Sequence, residues 1–180
     1  STDGHTINIC EHIFKNLENA HCPRLINLKN ITQSDLETAE KLLIGASIRY
    51  GKYREDVFDF IESNLELLNS KENAFFSVNA VARKPNKNRP ENNPYLIKFL
   101  EQTNWVPKKM AVFAGKIDYP KYKFFDKYAI KFIMFVTNGP TDTSQTYEFT
   151  DWKVVENFAK TLWSLQIYNK NNDVFQTVSY

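Results

Sequence analysis

Residues 1–6 (STDGHT) have the composition of a phosphate-binding loop. They lead into a stretch where apolar residues, including Ile9 and Ile13, recur at helical spacing. A loop that opens a helix presents free backbone N–H groups and the positive end of the helix dipole, and both attract an anion. Hydroxyl groups in the loop can add donors. The alternative is an ordinary helix N-cap, and for Asp3 we expect capping or a turn rather than phosphate contact.

Three further loops, at 47–53, 79–90 and 115–123, follow buried-strand patterns and are rich in Tyr, Arg, Lys, Gly and Pro. Ligands of open parallel sheets lie beyond the carboxyl ends of the strands. A phosphate loop beside Tyr-bearing loops is typical of a site for a phosphorylated, flat aromatic cofactor. Tyr50 and Tyr53 are candidates for ring contact. The alternatives are a polar connection at 47–53 and a solvated basic loop at 79–84.

The segments that would position these loops alternate between helix and strand. Helical spacing occurs at 5–20, 33–39, 53–68 and 91–102, and strand patterns at 24–27, 41–46, 73–79 and 110–114. This order predicts one α/β domain over residues 1–166, with a parallel sheet covered on both faces. No strand precedes the first loop, so we expect the first strand of the sheet to be missing. A buried strand contributes on the order of 10 kcal/mol, which predicts that residues 1–180 alone are unstable and bind their cofactor poorly.

The last third departs from this alternation. An insertion at about 115–150 contains a predicted helix over 121–136, rich in aromatic residues and Lys, and a short strand over 145–149. Its lysines at four-residue spacing suit an anionic membrane surface, while the apolar face could roof a pocket; the alternative is a surface helix packed on the domain. A final helix is expected over 152–166, and 167–180 is expected to be a flexible tail.

The charge is locally basic, although the net charge is only +2. Residues 82–90 carry +4 and residues 116–131 carry +3, which leaves −5 for the rest of the chain. These stretches could meet an anionic substrate, a phospholipid surface or nucleic acid. Cys10 and Cys22 have no metal or redox spacing, which favours reduced thiols in a cytosolic protein. No apolar run is long enough to predict a transmembrane helix.

Seven short motifs occur in order from residue 1 to about 163. They are TDGHT at 2–6, IGASIRYG at 44–51, FSVNAVARKP at 76–85, FAG at 113–115, YPKY at 119–122, TDT at 141–143 and TDW at 150–152. Together they resemble the flavodoxin-like, quinone-dependent protoporphyrinogen dehydrogenases of bacterial haem synthesis. The resemblance implies a three-layer α/β/α fold with sheet order 2-1-3-4-5 and FMN at the point where the strand order reverses.

The resemblance also implies a reaction. The enzyme would oxidise protoporphyrinogen IX to protoporphyrin IX and pass the electrons through FMN to menaquinone or ubiquinone. It would sit peripherally at the cytoplasmic face of the inner membrane and bind no nucleic acid. Whether it forms a homo-oligomer stays open. Alternatives are a flavodoxin-type electron carrier, an FMN-dependent NAD(P)H:quinone reductase, and a flavin-free scaffold or nucleic-acid-binding domain using the basic loops. The basic face and the insertion argue against the carrier.

The loops and the resemblance together predict the site. The expected FMN contacts are Ser1, Thr2, Asp3, Gly4, His5, Thr6, Ser47, Ile48, Arg49, Tyr50, Gly51, Tyr53, Ser77, Val78, Asn79, Ala82 and Arg83. The expected substrate or membrane contacts are Arg83, Lys84, Lys123, Lys127 and Lys131. Arg can pair with a propionate through two parallel hydrogen bonds. No metal site is expected, and the catalytic base is not assigned, with Tyr50, Tyr119 and Tyr122 as candidates.

Overall fold

The computed structural model describes residues 4–17, 22–163 and 174–179, and these form a parallel sheet between two layers of helices. The strands are β1 Cys22–Asn27, β2 Lys41–Ser47, β3 Glu72–Val78, β4 Lys109–Phe113, β5 Lys116–Asp118, β6 Thr146–Glu148 and β7 Val174–Ser179. The helices are α1 His5–Lys15, α2 Gln33–Thr38, α3 Glu55–Ser63, α4 Leu65–Ser70, α5 Pro94–Gln102, α6 Phe124–Val136 and α7 Trp152–Trp163.

The central strands bury side chains on both faces, which explains their continuous apolar sequences. In β2, Leu42 and Ile44 point into a core shared with α2 to α5, whereas Leu43 points into a core shared with α1 and α7. Phe75 and Phe76 divide in the same way. This alternation confirms the predicted α/β fold with helices on both faces of the sheet.

The helix expected over 53–68 is two helices, α3 and α4, separated at Asn64. Asn64 leaves the helical region, with φ −125° and ψ 18°, and its Nδ2 donates to the Phe60 carbonyl at 2.8 Å. Asn competes for backbone hydrogen bonds in this way, which weakens helices from inside.

The middle of the sheet differs from the sequence-based expectation. The order is β1-β7-β2-β3-β4, and β7 runs parallel to both of its neighbours, with Thr177 opposite Leu25 on one side and Leu43 on the other. Residues 174–179 are therefore a strand rather than part of a flexible tail, and the position assigned to a missing strand is filled. We predicted instability because we expected this position in the sheet to be empty. Strand β7 occupies it, so the reason for that prediction does not hold. The tail residues 167–173 and 180 lie outside the described residues.

The segment 174–179 (VFQTVS) is suited to this position because β-branched and aromatic residues favour strands. A parallel strand needs a crossover connection, and α7 provides one between β4 and β7. Helix α7 packs against α1 and β4, on the face of the sheet that carries α1. A polar, asparagine-rich stretch precedes β7, so the composition of this part of the chain does not indicate a strand.

The insertion leaves the sheet after β4 and returns to nearly the same point before α7. Its strands β5 and β6 pair antiparallel, and the Phe149 N–H donates to the Gly115 carbonyl at 3.2 Å. Helix α6 lies between these strands in sequence and packs on them through Met134, which is buried with Ile117 and Tyr119. The paired strands thus fix where α6 begins and ends relative to the sheet.

Deletion of residues 174–180 should leave a chain that does not fold cooperatively. Among the described strands, β1 pairs only with β7, so the deletion detaches β1 and turns β2 into an edge strand. Each buried backbone group left unpaired costs about 1–3 kcal/mol, and a whole domain has only about 5–15 kcal/mol to lose. Thr177→Pro, which removes one ladder donor, should lower the melting temperature, and Thr177→Val should not. Circular dichroism melting measures this; a deletion variant that melts like the full chain would contradict the placement of β7.

Candidate functional site

One cavity lies where the first loop and the loops after β2, β3 and β4 come together. The predicted residues that line it are His5, Thr6, Ser47, Ile48, Arg49, Tyr50, Gly51, Val78 and Asn79. This is the edge of a parallel sheet at which strands end and ligands bind. The sequence-based grouping of these loops therefore agrees with the geometry, whereas several individual residues lie elsewhere.

The beginning of α1 combines a special backbone conformation with buried polar atoms. Gly4 has φ 73°, a left-handed conformation that glycine adopts without strain, and its carbonyl accepts the first helical hydrogen bond from Asn8. His5 and Thr6 are 7% and 1% exposed, and neither His5 Nδ1 nor Thr6 Oγ1 has a hydrogen-bond partner among the residues that the structure describes. Buried polar atoms without partners are rare and costly, so these two atoms point to a ligand that satisfies them.

The tautomer of His5 follows from its neighbour. The Thr150 hydroxyl donates to the Ala114 carbonyl at 2.8 Å, so it accepts from His5 Nε2 at 2.7 Å. Burial lowers the pKa of His5, and Lys116 lowers it further, against the opposing effect of Glu148 at 3.5 Å. The lowered pKa favours the neutral imidazole, and the hydrogen bond to Thr150 places its proton on Nε2 rather than on Nδ1. A bound phosphate would favour protonation there, which would make Nδ1 a donor.

The loop after β2 forms a tight turn beside the cavity. Arg49 and Lys52 exchange two backbone hydrogen bonds, and the two residues between them have positive φ, 50° at Tyr50 and 81° at Gly51. This is the pattern of a hairpin turn that requires φ above zero at both central positions. Glycine suits its position, whereas Tyr50 is held in a conformation that few large residues adopt. The turn leaves Tyr50 55% exposed at the edge of the cavity.

Tyr53 was expected to contact a cofactor ring, and the structure places it in the core instead. Its hydroxyl donates to Ser77 Oγ at 2.6 Å, and its ring lies 5.2 Å from the Phe99 ring centroid. It is 5% exposed, and burial raises its pKa well above the ordinary value. Its position just before α3 turns the side chain toward α5, away from the cavity. Ser77 is fully buried and does not line the cavity.

The loop after β3 is held by its own side chains. The amide oxygen of Asn79 accepts from the Ala82 N–H at 3.1 Å and from Asn93 Nδ2 at 3.2 Å. Its Nδ2 donates to Ser77 Oγ at 3.1 Å. Asn79 therefore faces the cavity while its side chain shapes the loop. Ala82 is buried away from the cavity lining.

Arg83 was expected to meet the cofactor or the substrate, but its guanidinium is used within the protein. It donates to the carbonyl and the hydroxyl of Thr137, each at 2.8 Å, and to the Ala80 carbonyl at 2.7 Å. It ties the loop after β3 to the end of α6, and it does not line the cavity. Gly4, Lys84, Lys123, Lys127 and Lys131 also lie outside the lining, and Ser1, Thr2 and Asp3 lie outside the described residues.

Helix α6, whose apolar face was expected to roof a pocket or to pack on the domain, supplies an apolar wall to the cavity. Ile130, Ile133 and Met134 line the cavity, together with Tyr122 from the preceding loop. The opposite side of the helix is exposed, with Phe125 at 84% and Phe135 at 71%. Further lining residues without a prediction of their own are Ala80, Val81, Tyr95, Gly115, Lys116 and Ile117. The spacing 130, 133 and 134 is a helical signal, but apolar residues elsewhere on α6 obscure it.

The candidate bases differ in their surroundings. Tyr119 is fully buried, its hydroxyl donates to the Pro140 carbonyl at 2.9 Å, and burial raises its pKa. It does not line the cavity, whereas Tyr50 and Tyr122 do. In the part of the chain that the structure describes, no cluster of side chains could hold a metal ion, and no helix is long and apolar enough to cross a membrane.

Comparison with known proteins decides the family. A flavodoxin domain model matches residues 1–144. The protoporphyrinogen IX dehydrogenase [quinone] of Escherichia coli K12 is 40% identical over 159 residues, which is 88% of each chain. The chain belongs to the protoporphyrinogen IX dehydrogenase family. Another member, from Leishmania major, is 40% identical over 169 residues, covering 93% of this chain and 73% of that protein. No solved structure matches.

Membership of the protoporphyrinogen IX dehydrogenase family confirms the resemblance and makes the chain an oxidoreductase with a flavin-binding domain. The cavity fits a flavin phosphate on evidence of its own. His5 Nδ1 and Thr6 Oγ1 are buried at the N-terminus of an eleven-residue helix, where the dipole favours an anion, and no described residue forms a hydrogen bond with either atom. The backbone of the turn at Tyr50 and Gly51, and that of Val78 and Asn79, borders the same cavity.

Thr6→Val should weaken FMN binding without weakening the protein. The Thr6 hydroxyl has no hydrogen-bond partner in the described part of the chain, so its removal should leave the melting temperature of the apoprotein unchanged or slightly higher. A hydrogen bond to a charged group is worth about 1.5–3 kcal/mol, so the Kd for FMN should rise about 10- to 100-fold. Flavin fluorescence quenching measures the Kd. Riboflavin, which has no phosphate, is the control ligand, and equal weakening for both ligands would contradict phosphate contact at Thr6.

Proposed function

We propose that this protein binds FMN and oxidises protoporphyrinogen IX to protoporphyrin IX, passing the electrons to menaquinone or ubiquinone in haem biosynthesis. One observation carries the proposal. At the first turn of α1, His5 and Thr6 each bury a polar atom that has no hydrogen-bond partner among the described residues, beside a cavity with an apolar wall from α6. FMN has an anionic phosphate tail and a flat aromatic ring, and the family membership supports the reaction.

The residues of the chain divide the task of holding FMN. The N-terminus of α1, with His5 and Thr6, would take the phosphate, and the backbone of residues 47–51 and 78–79 would border the ring. When bound, FMN accepts two electrons at a time, so three rounds complete a six-electron oxidation. Ile130, Ile133 and Met134 form an apolar wall that would shield one side of the cavity from water. Such shielding would limit side reactions of an oxidisable substrate.

The substrate carries two propionates on a large apolar ring, and the structure changes which cations we assign to it. The Arg83 guanidinium is hydrogen-bonded to Thr137 and does not line the cavity. Among the described residues, the basic side chains of Lys and Arg that line it are those of Lys116 and Arg49. We infer that Lys116 draws a propionate toward the flavin. Lys84 remains a candidate for longer-range attraction from the basic stretch at 82–90, because charge raises the encounter rate without direct contact.

The proposal includes peripheral contact with the cytoplasmic face of the inner membrane, through α6. The outer side of this helix exposes Phe124, Phe125, Tyr128, Phe132, Phe135 and Val136, each by more than half. Lys123 is exposed, and Lys127 and Lys131 are partly exposed, on the same helix. Aromatic residues beside lysines suit the interface of an anionic bilayer. Since quinones reside in the bilayer, this contact would bring the electron acceptor to the roof of the cavity.

The activity is tested under anaerobic conditions with protein reconstituted with FMN. Protoporphyrinogen IX should bleach the visible flavin absorbance and release fluorescent protoporphyrin IX, and a soluble menaquinone or ubiquinone analogue should restore the colour. Protein without flavin is the control and should produce no protoporphyrin. Bleaching by NADPH, but not by protoporphyrinogen IX, would contradict the proposal and support an NAD(P)H:quinone reductase.

The membrane contact is tested by reversing the charge of Lys123, Lys127 and Lys131 to Glu. Each lysine near an anionic surface contributes about 1 kcal/mol, so the triple variant should sediment with anionic vesicles at least about 100-fold more weakly. The matched control reverses three exposed lysines on other helices, Lys98, Lys153 and Lys160, with the same total charge change. If the control loses as much binding as the α6 variant, the contribution of α6 is rejected.

A further inference from the structure

The carboxylate of Asp126 joins helix α6 to the turn after β2. Asp126, in the first turn of α6, accepts a hydrogen bond from Arg49 Nη2 at 3.1 Å and another from the Tyr50 hydroxyl. The two donors are neighbours in sequence and belong to the turn that borders the cavity. Asp126 and Tyr50 are 76 residues apart in the chain, so this contact is tertiary.

The contact is partly shielded from water. The side chain of Arg49 is 32% exposed and that of Asp126 is 26% exposed, so their attraction is screened less than that of a fully exposed pair. The Arg49 guanidinium carbon also lies 5.3 Å from the centroid of the Tyr50 ring, within the range of a cation–π contact. Arg49, Tyr50 and Asp126 therefore form one small cluster in which each member touches the other two.

The unusual backbone conformation of Tyr50 indicates what this cluster does. A large residue at φ 50° is strained, and such conformations persist only where surrounding contacts impose them. The hydroxyl of Tyr50 reaches Asp126, and the ring is covered by Arg49. The cluster thus holds the turn in the conformation that borders the cavity, and it holds α6 over that turn.

We propose that Asp126 is a positioning residue that fastens the α6 roof to the Arg49–Tyr50 turn and balances the charge of Arg49 beside the flavin. The inference rests on the proposed function, because it needs FMN in the cavity. Fastening the roof slows the escape of FMN. The negative charge of Asp126 offsets the positive charge of Arg49, which would otherwise favour the reduced, more negative form of the flavin.

The main test is Asp126→Asn, which keeps the shape of the side chain and removes its charge. FMN should dissociate about tenfold faster. The affinity for reduced FMN, relative to oxidised FMN, should rise about tenfold, which corresponds to an increase of about 30 mV in the two-electron potential. Stopped-flow fluorescence measures dissociation, and a dye-linked titration measures the potential. Asp142→Asn is the matched control, since Asp142 lies in the same insertion, outside the cavity lining, and bonds Ser144.

Two further variants separate positioning from general destabilisation. Tyr50→Phe removes one hydrogen bond to Asp126 and leaves the Arg49 pair, so FMN should leave faster while the potential stays at the wild-type value. Asp126→Glu keeps the charge, so it should restore the potential even where dissociation remains fast. Potentials of Asp126→Asn and Asp142→Asn that equal the wild-type value, with equal dissociation rates, would overturn the inference. Failure of the wild-type protein to bind FMN would instead overturn the proposed function.

Discussion

The pairing of β7 with β1 on one side and β2 on the other is the interaction on which the structure depends. It joins β1 to the rest of the sheet, and α1 packs across β7 and β2. The beginning of α1 therefore lies at the edge where β2, β3 and β4 end, and the cavity is lined by residues of α1, of α5, of these strand ends and the loops after them, and of the insertion. The geometry of the site is a consequence of one parallel ladder, because all strands of such a sheet end on the same side.

Features of the site lower the free energy of unfolding, and the rest of the fold must offset this loss of stability. The unpartnered atoms of His5 and Thr6 are buried, and Tyr50 adopts an unfavourable backbone conformation. Each feature costs on the order of 1–3 kcal/mol in the unbound protein. The two cores are dense with aromatic side chains, including Phe75 stacked on Phe99 at 4.5 Å, and they supply the stability that tolerates this cost. A bound anion would satisfy the buried atoms, so ligand binding and stability are coupled through them.

The sequence predicted four of the five strands of the described parallel sheet and the loops after β2 and β3, because buried parallel strands are continuously apolar and loop composition is distinctive at 47–53 and 79–90. It did not distinguish Tyr50 from Tyr53, since both lie in one polar loop and only the turn geometry sends one to the cavity and the other to the core. It did not find β7 because the strand follows a polar, asparagine-rich stretch and pairs only with distant residues. Arg83 was misplaced for a related reason: a cation in a basic loop gives no sign that carbonyls of α6 will bind it.

Helix α6 lines the cavity with its inner side and exposes apolar residues on its outer side. A helix that is apolar nearly all round is normally buried, yet this one shields the cavity with Ile130 and Met134 and exposes Phe125 and Phe132 to the outside. The outer side has no partner among the described residues, so an apolar environment there would be stabilising. Asp126 fastens the same helix to the turn at Tyr50. In the proposed arrangement, the element that meets the bilayer is therefore the element that encloses the flavin, so a quinone would need to cross only the width of one helix.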